Sequence, residues 1–294
     1  MKIATFVILI SFKSMLKTTE ITNINSSKIE LDTFDSNQLD IAIIKNLISD
    51  FSLSYENEIK VLQTKFPSTQ LSLEDGFFLP LPYSTVNEQF ENEKVALDSY
   101  FSNANKAKNE FKSQQIFWFS WFEQQLRNSF KEKIELLKYN NESFAPFGIR
   151  VLTANKNGLD LHCENAFLHQ LKPNFRNWLY EHVDIENSVS FFITLQSPEI
   201  GGELVVYDMD WNNFSLRLDS TTYEERHDLY GSLFKNRNKN DVTSSSFTIQ
   251  KGDAVVFRAG QLWHAIQPPI GLKNRITIGC FIAKGLDNNY YYWA

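Results

Sequence analysis

The chain has 294 residues, 43% of them hydrophobic and 25 of them phenylalanine, so it is long enough to bury one substantial core. Its formal net charge of -6 argues against a nucleic-acid-binding surface, which would be basic. The two cysteines exclude a disulfide framework, and no apolar run approaches the roughly 18 residues of a membrane span. We therefore expect a cytoplasmic protein that binds neither nucleic acid nor membranes.

The N-terminus carries a short apolar run at residues 3–12, flanked by Lys2 and Lys13. Such a run resembles the core of a secretory signal peptide, but no small-x-small cleavage pattern follows it. An alternative is that translation starts at Met15 and that the residues before it are dispensable. We expect the cytoplasmic location and keep the signal segment or an over-extended start as the alternative.

The first half of the chain, residues 1–146, is predicted to be mainly helical. Residues 36–66 carry apolar side chains at helical spacing, and a second long helical region ends near residue 137. Within this second region one apolar stripe recurs every four residues and indicates a packing face rather than a cofactor site. Its members are Trp118, Phe122, Leu126 and Phe130.

From residue 147 the pattern changes to short apolar strands separated by turns. The predicted strands cover residues 149–152, 189–195, 203–207, 247–250, 254–257 and 275–283. Helices followed by a run of short strands indicate an α+β chain whose strand half is a double-stranded β-helix, the jelly-roll barrel of the cupins. We expect residues 147–294 to be the barrel core and the helices to pack around it in a single structural domain.

The connection at residues 208–246 is too long for an ordinary turn between two barrel strands. It contains the charged and aromatic segment 223–230, which we expect to be helical. Long insertions of this kind often cover binding sites. We predict that it forms a lid.

The most informative pattern lies in the strand half and consists of His162, Glu164 and His264. Side chains alternate along a strand, so His162 and Glu164 should project to one side while Cys163 points away. Two imidazoles and one carboxylate on one face of a metal leave three adjacent positions open, and this is the ligand set of non-haem iron(II) oxygenases. The sequence therefore predicts an iron site.

Arg275 lies on the next predicted strand and shares a strand face with Thr277. Its guanidinium is a planar fork for a carboxylate, which in enzymes that use 2-oxoglutarate is the distal one of the co-substrate. Each residue alone could be structural, but their order and spacing together favour a site. The other histidines lack a carboxylate at strand spacing, and we interpret them as structural or surface residues: His169, His182 and His227.

Several segments of the C-terminal half also match a known family. They are Ile149-Arg150, Ser190–Ile193, residues 198–207, Lys251–Asp253, Arg275-x-Thr277 and the terminal Tyr291-Tyr292-Trp293. In these segments the chain resembles the Fe(II)/2-oxoglutarate oxygenases that include the free-standing indole-alkaloid aliphatic halogenases of the welwitindolinone and ambiguine type. The match is close in the C-terminal half and loose in the helical half. It implies the jelly-roll fold, a free small-molecule substrate and no carrier protein.

The resemblance also implies a role for each site residue. His162, Glu164 and His264 would hold Fe(II), and 2-oxoglutarate and O2 would take the open positions. Arg275 would anchor the distal carboxylate of 2-oxoglutarate, with Thr277 as a hydroxyl donor to it.

One residue departs from the family pattern. The halogenases have a small residue at the carboxylate position of the triad, and chloride occupies the vacated iron site, whereas this chain has Glu164. We therefore expect hydroxylation of an aliphatic C–H bond of a hydrophobic, natural-product-type molecule. Two alternatives stay open: a halogenase in which Glu164 turns away, and a non-catalytic cupin-like binding protein, which would have no need for the Arg275 anchor.

Overall fold

The computed structural model describes residues 16–22, 28–48, 69–71, 76–80, 82–113, 118–168, 171–211 and 243–294. Within these ranges the α-helices are α1 (Asp32–Asp35), α2 (Tyr83–Gln89), α3 (Glu93–Ser113), α4 (Trp118–Ser129), α5 (Asn165–Leu168) and α6 (Pro173–His182). None of these helices is both long and apolar enough to cross a bilayer.

The strands of the described residues are given in two series, one on each side of helices α5 and α6 in the sequence, and both series contribute strands to the barrel. The first series is β1 (Thr18–Ile21), β2 (Ile41–Ile44), β3 (Thr69–Leu71), β4 (Gly76–Leu79), β5 (Ile134–Leu136), β6 (Lys138–Tyr139), β7 (Glu142–Ser143), β8 (Gly148–Leu152) and β9 (Leu159–His162). The second is β10 (Val189–Gln196), β11 (Ile200–Gly201), β12 (Leu204–Asp210), β13 (Ser244–Phe247), β14 (Ala254–Phe257), β15 (Leu262–Ile266), β16 (Pro269–Ile270), β17 (Arg275–Lys284) and β18 (Tyr290–Trp293).

Two sheets form the barrel. The larger has the order β1-β2-β14-β10-β17-β8-β4-β3, with β18 added on β17, and the smaller has the order β13-β12-β15-β9. Apolar side chains from the facing strands of both sheets, such as Val255 and Phe257 on one and Val206 and Leu262 on the other, form a shared core. The predicted α+β class with a jelly-roll core is confirmed.

Strand alternation separates a helix-facing side of the larger sheet from its barrel-facing side. In β10, Val189, Phe191 and Ile193 pack in the core beneath the helices, whereas Phe192 packs toward the core between the sheets. In β17, Ile276 and Ile278 likewise face the helices. The residues that alternate with them, Arg275 and Thr277 among them, therefore face the barrel interior.

The apolar stripe of α4 packs on the helix-facing side of this sheet, as predicted. Trp118, Phe122 and Leu126 are all buried there. The Phe122 ring lies 5.3 Å from the ring of Phe147 and 5.9 Å from that of Phe191, measured between centroids. The stripe holds the helical part of the chain on the barrel and takes no part in a site.

The prediction of a helix across residues 36–66 is wrong for residues 41–44, which form strand β2. This strand lies between β1 and β14, and all four of its side chains are buried. A strand buried on both faces gives a continuous apolar run, which periodicity cannot distinguish from a helix. Residues 49–68 lie outside the described part of the chain.

Two further boundaries also differ from the prediction. The strand predicted at residues 247–250 is found at Ser244–Phe247, and residues 248–250 lead into a turn in which the Asp253 carboxylate accepts a hydrogen bond from the Gln250 N–H. β12 continues to Asp210, so both ends of the predicted 208–246 lid belong to paired strands. Its remainder, residues 212–242, lies outside the described residues, as do His169, His227 and the N-terminal apolar run.

Candidate metal centre

The three residues predicted to bind metal come together in the smaller sheet. Atoms of His162, Glu164 and His264 that can ligate a metal all lie within 4.8 Å of one another. The two histidines stand directly opposite each other on the paired strands β9 and β15, with ring centroids 4.2 Å apart. Cross-strand pairing thus brings together two residues that are far apart in the sequence.

Glu164 lies in a turn and not on the strand of His162, so strand alternation does not set the direction of its side chain. Strand β9 ends at His162, and Glu164 lies in the turn that enters α5. The backbone N–H of Glu164 donates to the Ala259 carbonyl at 3.0 Å, and that of Asn165 donates to the Gly260 carbonyl at 3.1 Å. Cys163 points away, as predicted, and is fully buried beside Trp263. The loop before β15 therefore sets the position of the carboxylate.

Backbone hydrogen bonds fix the orientation of both imidazoles. Nδ1 of His162 lies 2.6 Å from the Asp160 carbonyl, and Nδ1 of His264 lies 2.8 Å from the Leu262 carbonyl. A carbonyl can only accept, so each Nδ1 carries the hydrogen and each Nε2 keeps a free lone pair. A second hydrogen bond of this kind is the usual support of a metal-binding histidine.

Burial dominates the electrostatics of the cluster. It lowers the pKa of His162 to about 4 and moves the pKa of His264 well below its ordinary value, with His162 as a further cause. Burial also raises the pKa of Glu164 to about 7, and Arg150 opposes this effect. Two neutral imidazoles and a carboxyl that is costly to ionise alone form a donor set that a divalent cation stabilises. This donor set fits Fe(II).

Arg275 and Thr277 lie on the barrel-facing side of β17, and both are buried. Burial lowers the pKa of Arg275 to about 9, so its guanidinium stays charged at neutral pH. Its stem packs against Gly202, where a Cβ would lie 3.2 Å from Cδ of Arg275 and where φ is +74°. The glycine thus allows the turn to close on the arginine stem.

Arg150 lies beside the cluster, and sequence reasoning assigned it no role there. It stands on β8 directly opposite Thr277 and has electrostatic interactions with all three residues of the cluster. Its guanidinium carbon lies 4.5 Å from the centroid of the Phe78 ring and 5.5 Å from that of Phe192. Alternation along β8, in which Ile149 and Val151 face the helices, is the signal that could have identified it.

Comparison with models of protein families identifies the family to which the chain belongs. The model of the family described as carrier-protein-independent halogenase WelO5 matches residues 16–294, which is nearly the whole length. The chain belongs to this family. Membership in the WelO5 family agrees with the resemblance seen in the sequence, and the match extends through the helical half, where that resemblance was loose. No curated protein sequence matches the chain.

Solved structures show the same architecture at low sequence identity. A novel N-substituted L-amino acid dioxygenase from Burkholderia ambifaria AMMD is 14% identical, with a TM-score of 0.54 and coverage of 90% of both chains. The structure of this dioxygenase in complex with alpha-KG has a TM-score of 0.53 at the same identity and coverage. At this identity the likeness supports the fold alone, and it agrees with the jelly-roll core.

Proposed function

We propose that this protein is an Fe(II)- and 2-oxoglutarate-dependent oxygenase that hydroxylates an aliphatic C–H bond of a free, hydrophobic small molecule. The observation that carries this proposal is the convergence of potential ligand atoms of His162, Glu164 and His264 within 4.8 Å. In the proposal, Glu164 takes the position that decides between hydroxyl and halide. Family membership supports the oxygenase class and a substrate that is not tethered to a carrier protein.

Each residue of the cluster has a defined task in this proposal. His162 and His264 would offer Nε2 to Fe(II), and Glu164 would offer a carboxylate oxygen. Arg275 would pair with the distal carboxylate of 2-oxoglutarate, with Thr277 as hydroxyl donor. When bound, the metal and co-substrate supply O2 activation coupled to the decarboxylation of 2-oxoglutarate to succinate and carbon dioxide. The protein's part is to hold one C–H bond at that centre and to exclude water.

Glu164 is the reason for proposing hydroxylation. Its carboxylate would occupy the iron position that the halogenases leave for chloride. Burial already raises the pKa of this single carboxyl to about 7, so a second anion at the same position would be opposed by the same desolvation and by like-charge repulsion. With no position for halide, hydroxyl is the only group available to the substrate carbon.

The surroundings of the cluster favour an apolar substrate. The Phe257 ring contacts His264 edge-on at 4.8 Å between centroids, and Phe167 lies 5.8 Å from His162. Aromatic side chains next to a few defined polar groups are typical of sites that take hydrophobic small molecules.

A halogenase of the WelO5 type is the second candidate, and family membership is the observation that favours it. In that case Glu164 would turn away from the metal and leave its position to chloride. The cost would be an anionic carboxylate that is partly buried and has no cation within ion-pair distance among the described residues. We therefore favour Glu164 as a metal ligand.

Two measurements test the proposal: iron binding by the purified protein and the identity of the reaction product. Purified protein loaded anaerobically should bind one Fe(II), and His264→Ala should lose the metal, whereas the surface variant His182→Ala should keep it. Small molecules that raise succinate release would then be turned over in high chloride, and their products analysed by mass spectrometry. A mono-oxygenated product supports hydroxylation. A dominant chlorinated product would contradict it, and full iron retention in His264→Ala would contradict the metal site.

A further inference from the structure

The cluster contains one cation that neither the iron site nor the distal anchor uses. Arg150 projects from β8 toward the barrel interior, opposite Thr277 and next to the pair formed by Arg275 and Leu152. Among the described residues its guanidinium makes no ion pair, and its Nε is buried without a hydrogen-bond partner. An orphaned buried donor on a charged group is costly unless a ligand satisfies it.

The structure fixes Arg150 in this position with two aromatic rings. Its guanidinium lies over Phe78 at 4.5 Å and over Phe192 at 5.5 Å, so cation–π interactions offset part of its desolvation. Phe192 can reach this place because Gly279 stands opposite it on β17, where a Cβ would lie 2.1 Å from the Phe192 ring. Rings that contact the guanidinium faces leave its N–H edges as the groups able to bind a ligand.

The charges around Arg150 indicate what that ligand is. Burial lowers the pKa of Arg150 to about 10, with Glu164 acting in the opposite direction, so the group remains a cation at neutral pH. Arg150 interacts electrostatically with His162, Glu164 and His264, and also with Arg275. A cation that interacts with both a metal-ligand cluster and a second arginine is suited to binding an anion that both arginines share.

We propose that Arg150 binds the carboxylate of 2-oxoglutarate that lies at the metal end, while Arg275 binds the carboxylate at the far end. This inference rests on the proposed function and adds to it a second residue that binds the co-substrate. The positions of the two arginines differ: Arg275 precedes Thr277 by two residues on β17, whereas Arg150 stands opposite Thr277. Arg150 is also the arginine that acts electrostatically on His162, Glu164 and His264. A dianion held at both ends presents its keto oxygen to the metal in one orientation.

Two keto acids separate the ends of the co-substrate. 2-Oxoglutarate has both carboxylates, whereas 2-oxobutyrate keeps the keto group and the adjacent carboxylate but lacks the distal one. Binding of each acid to the Fe(II)-loaded protein would be measured by anaerobic calorimetry for wild type, Arg150→Met and Arg275→Leu. Arg127→Met, which removes an exposed arginine from α4, is the matched control. Arg150→Lys keeps the charge without the fork.

We expect Arg150→Met to weaken binding of both acids by at least about tenfold, because both carry the carboxylate next to the keto group. Arg275→Leu should weaken only 2-oxoglutarate, Arg150→Lys should be intermediate, and Arg127→Met should match wild type. Iron content should remain at the wild-type level in Arg150→Met, since removing a nearby cation does not disfavour a metal cation.

Three results would overturn the inference. Unchanged binding of both acids in Arg150→Met and Arg150→Lys would show that Arg150 binds no co-substrate anion. Loss of 2-oxoglutarate binding alone would assign Arg150 to the distal carboxylate. Loss of iron together with both acids would make it a structural support of the triad. Failure of the wild-type protein itself to bind Fe(II) would instead contradict the proposed function, so the two failures are distinguishable.

Discussion

At the scale of single residues, the site is a set of charges placed in a barrel interior where each is costly alone. Glu164 has a raised pKa, His162 and His264 have lowered ones, and Arg275 is a buried cation. In the proposed function a divalent metal and a dianionic co-substrate neutralise these groups together. Substituting any one of these residues should therefore lower the affinity of the protein for the metal or for the co-substrate.

Arg275→Leu should weaken 2-oxoglutarate binding by about 2–5 kcal/mol, because the distal carboxylate would be buried without its partner. The variant should bind Fe(II) as wild type does. Calorimetric titration of the iron-loaded protein measures this change, and Arg127→Leu on the surface of α4 is the control. Equal affinity in Arg275→Leu and wild type would show that another cation holds the distal carboxylate.

The raised pKa of Glu164 gives a pH-dependent prediction for the metal-free protein. The folded state holds the proton more tightly than the unfolded state, so the carboxyl destabilises the fold increasingly as pH rises from about 4.5 through about 7. Glu164→Gln removes this effect and should be more stable than wild type at pH values above 7 by about 1–3 kcal/mol. Below pH 4.5 the two proteins should be equally stable.

Chemical denaturation of both proteins across this pH range tests the prediction, with Glu91→Gln as an exposed control. Comparing variant with wild type at each pH cancels the opposite contribution of the histidines, whose lowered pKa values cost stability as pH falls. A constant difference at all pH values would contradict the raised pKa. With Fe(II) present the order should reverse, because only wild type can supply the carboxylate ligand.

At the scale of elements, the sequence predicted the parts whose patterns are local. Periodicity predicted the apolar stripe of α4 and the strands β10 and β17. It also predicted that Arg275 and Thr277 lie on the same face of β17. Strand β2 did not, since Ile41–Ile44 has the same apolar run whether it forms a buried strand or a helix. The position of Glu164 depends on hydrogen bonds to Ala259 and Gly260, which are contacts distant in sequence. The lid at residues 208–246 stays a prediction.

Phe122→Ala should lower the free energy of unfolding by about 3–5 kcal/mol, because Phe122 is fully buried between α4 and the larger sheet. Gln124→Ala on the exposed side of the same helix should change it by less than about 0.5 kcal/mol. Denaturant titration followed by circular dichroism measures both. At temperatures where Phe122→Ala remains folded it should still bind one Fe(II), since the helix packs on the opposite side of the sheet from the site. Loss of iron from folded Phe122→Ala would contradict a purely structural role.

At the scale of the whole molecule, helices and barrel share one sheet. Strands β2 and β4 come from the N-terminal half, yet they pair with β14 and β8 of the barrel. Residues 1–146, which we assign to the helical part, therefore supply strands to the sheet that carries Arg150 and Arg275. A single structural domain stays a prediction, and a cooperative unfolding transition is its expected consequence.

In the proposed function, Glu164 binds the metal and leaves no iron position for halide. Chloride titration of the anaerobic complex with Fe(II) and 2-oxoglutarate, followed by its visible charge-transfer absorption, tests this directly and requires no substrate. The wild-type spectrum should not change with chloride concentration. The absorption of Glu164→Gly should shift as chloride is added, and the shift should saturate. A saturable chloride-dependent shift in the wild-type protein would contradict the account, because it would show that halide enters the position assigned to Glu164.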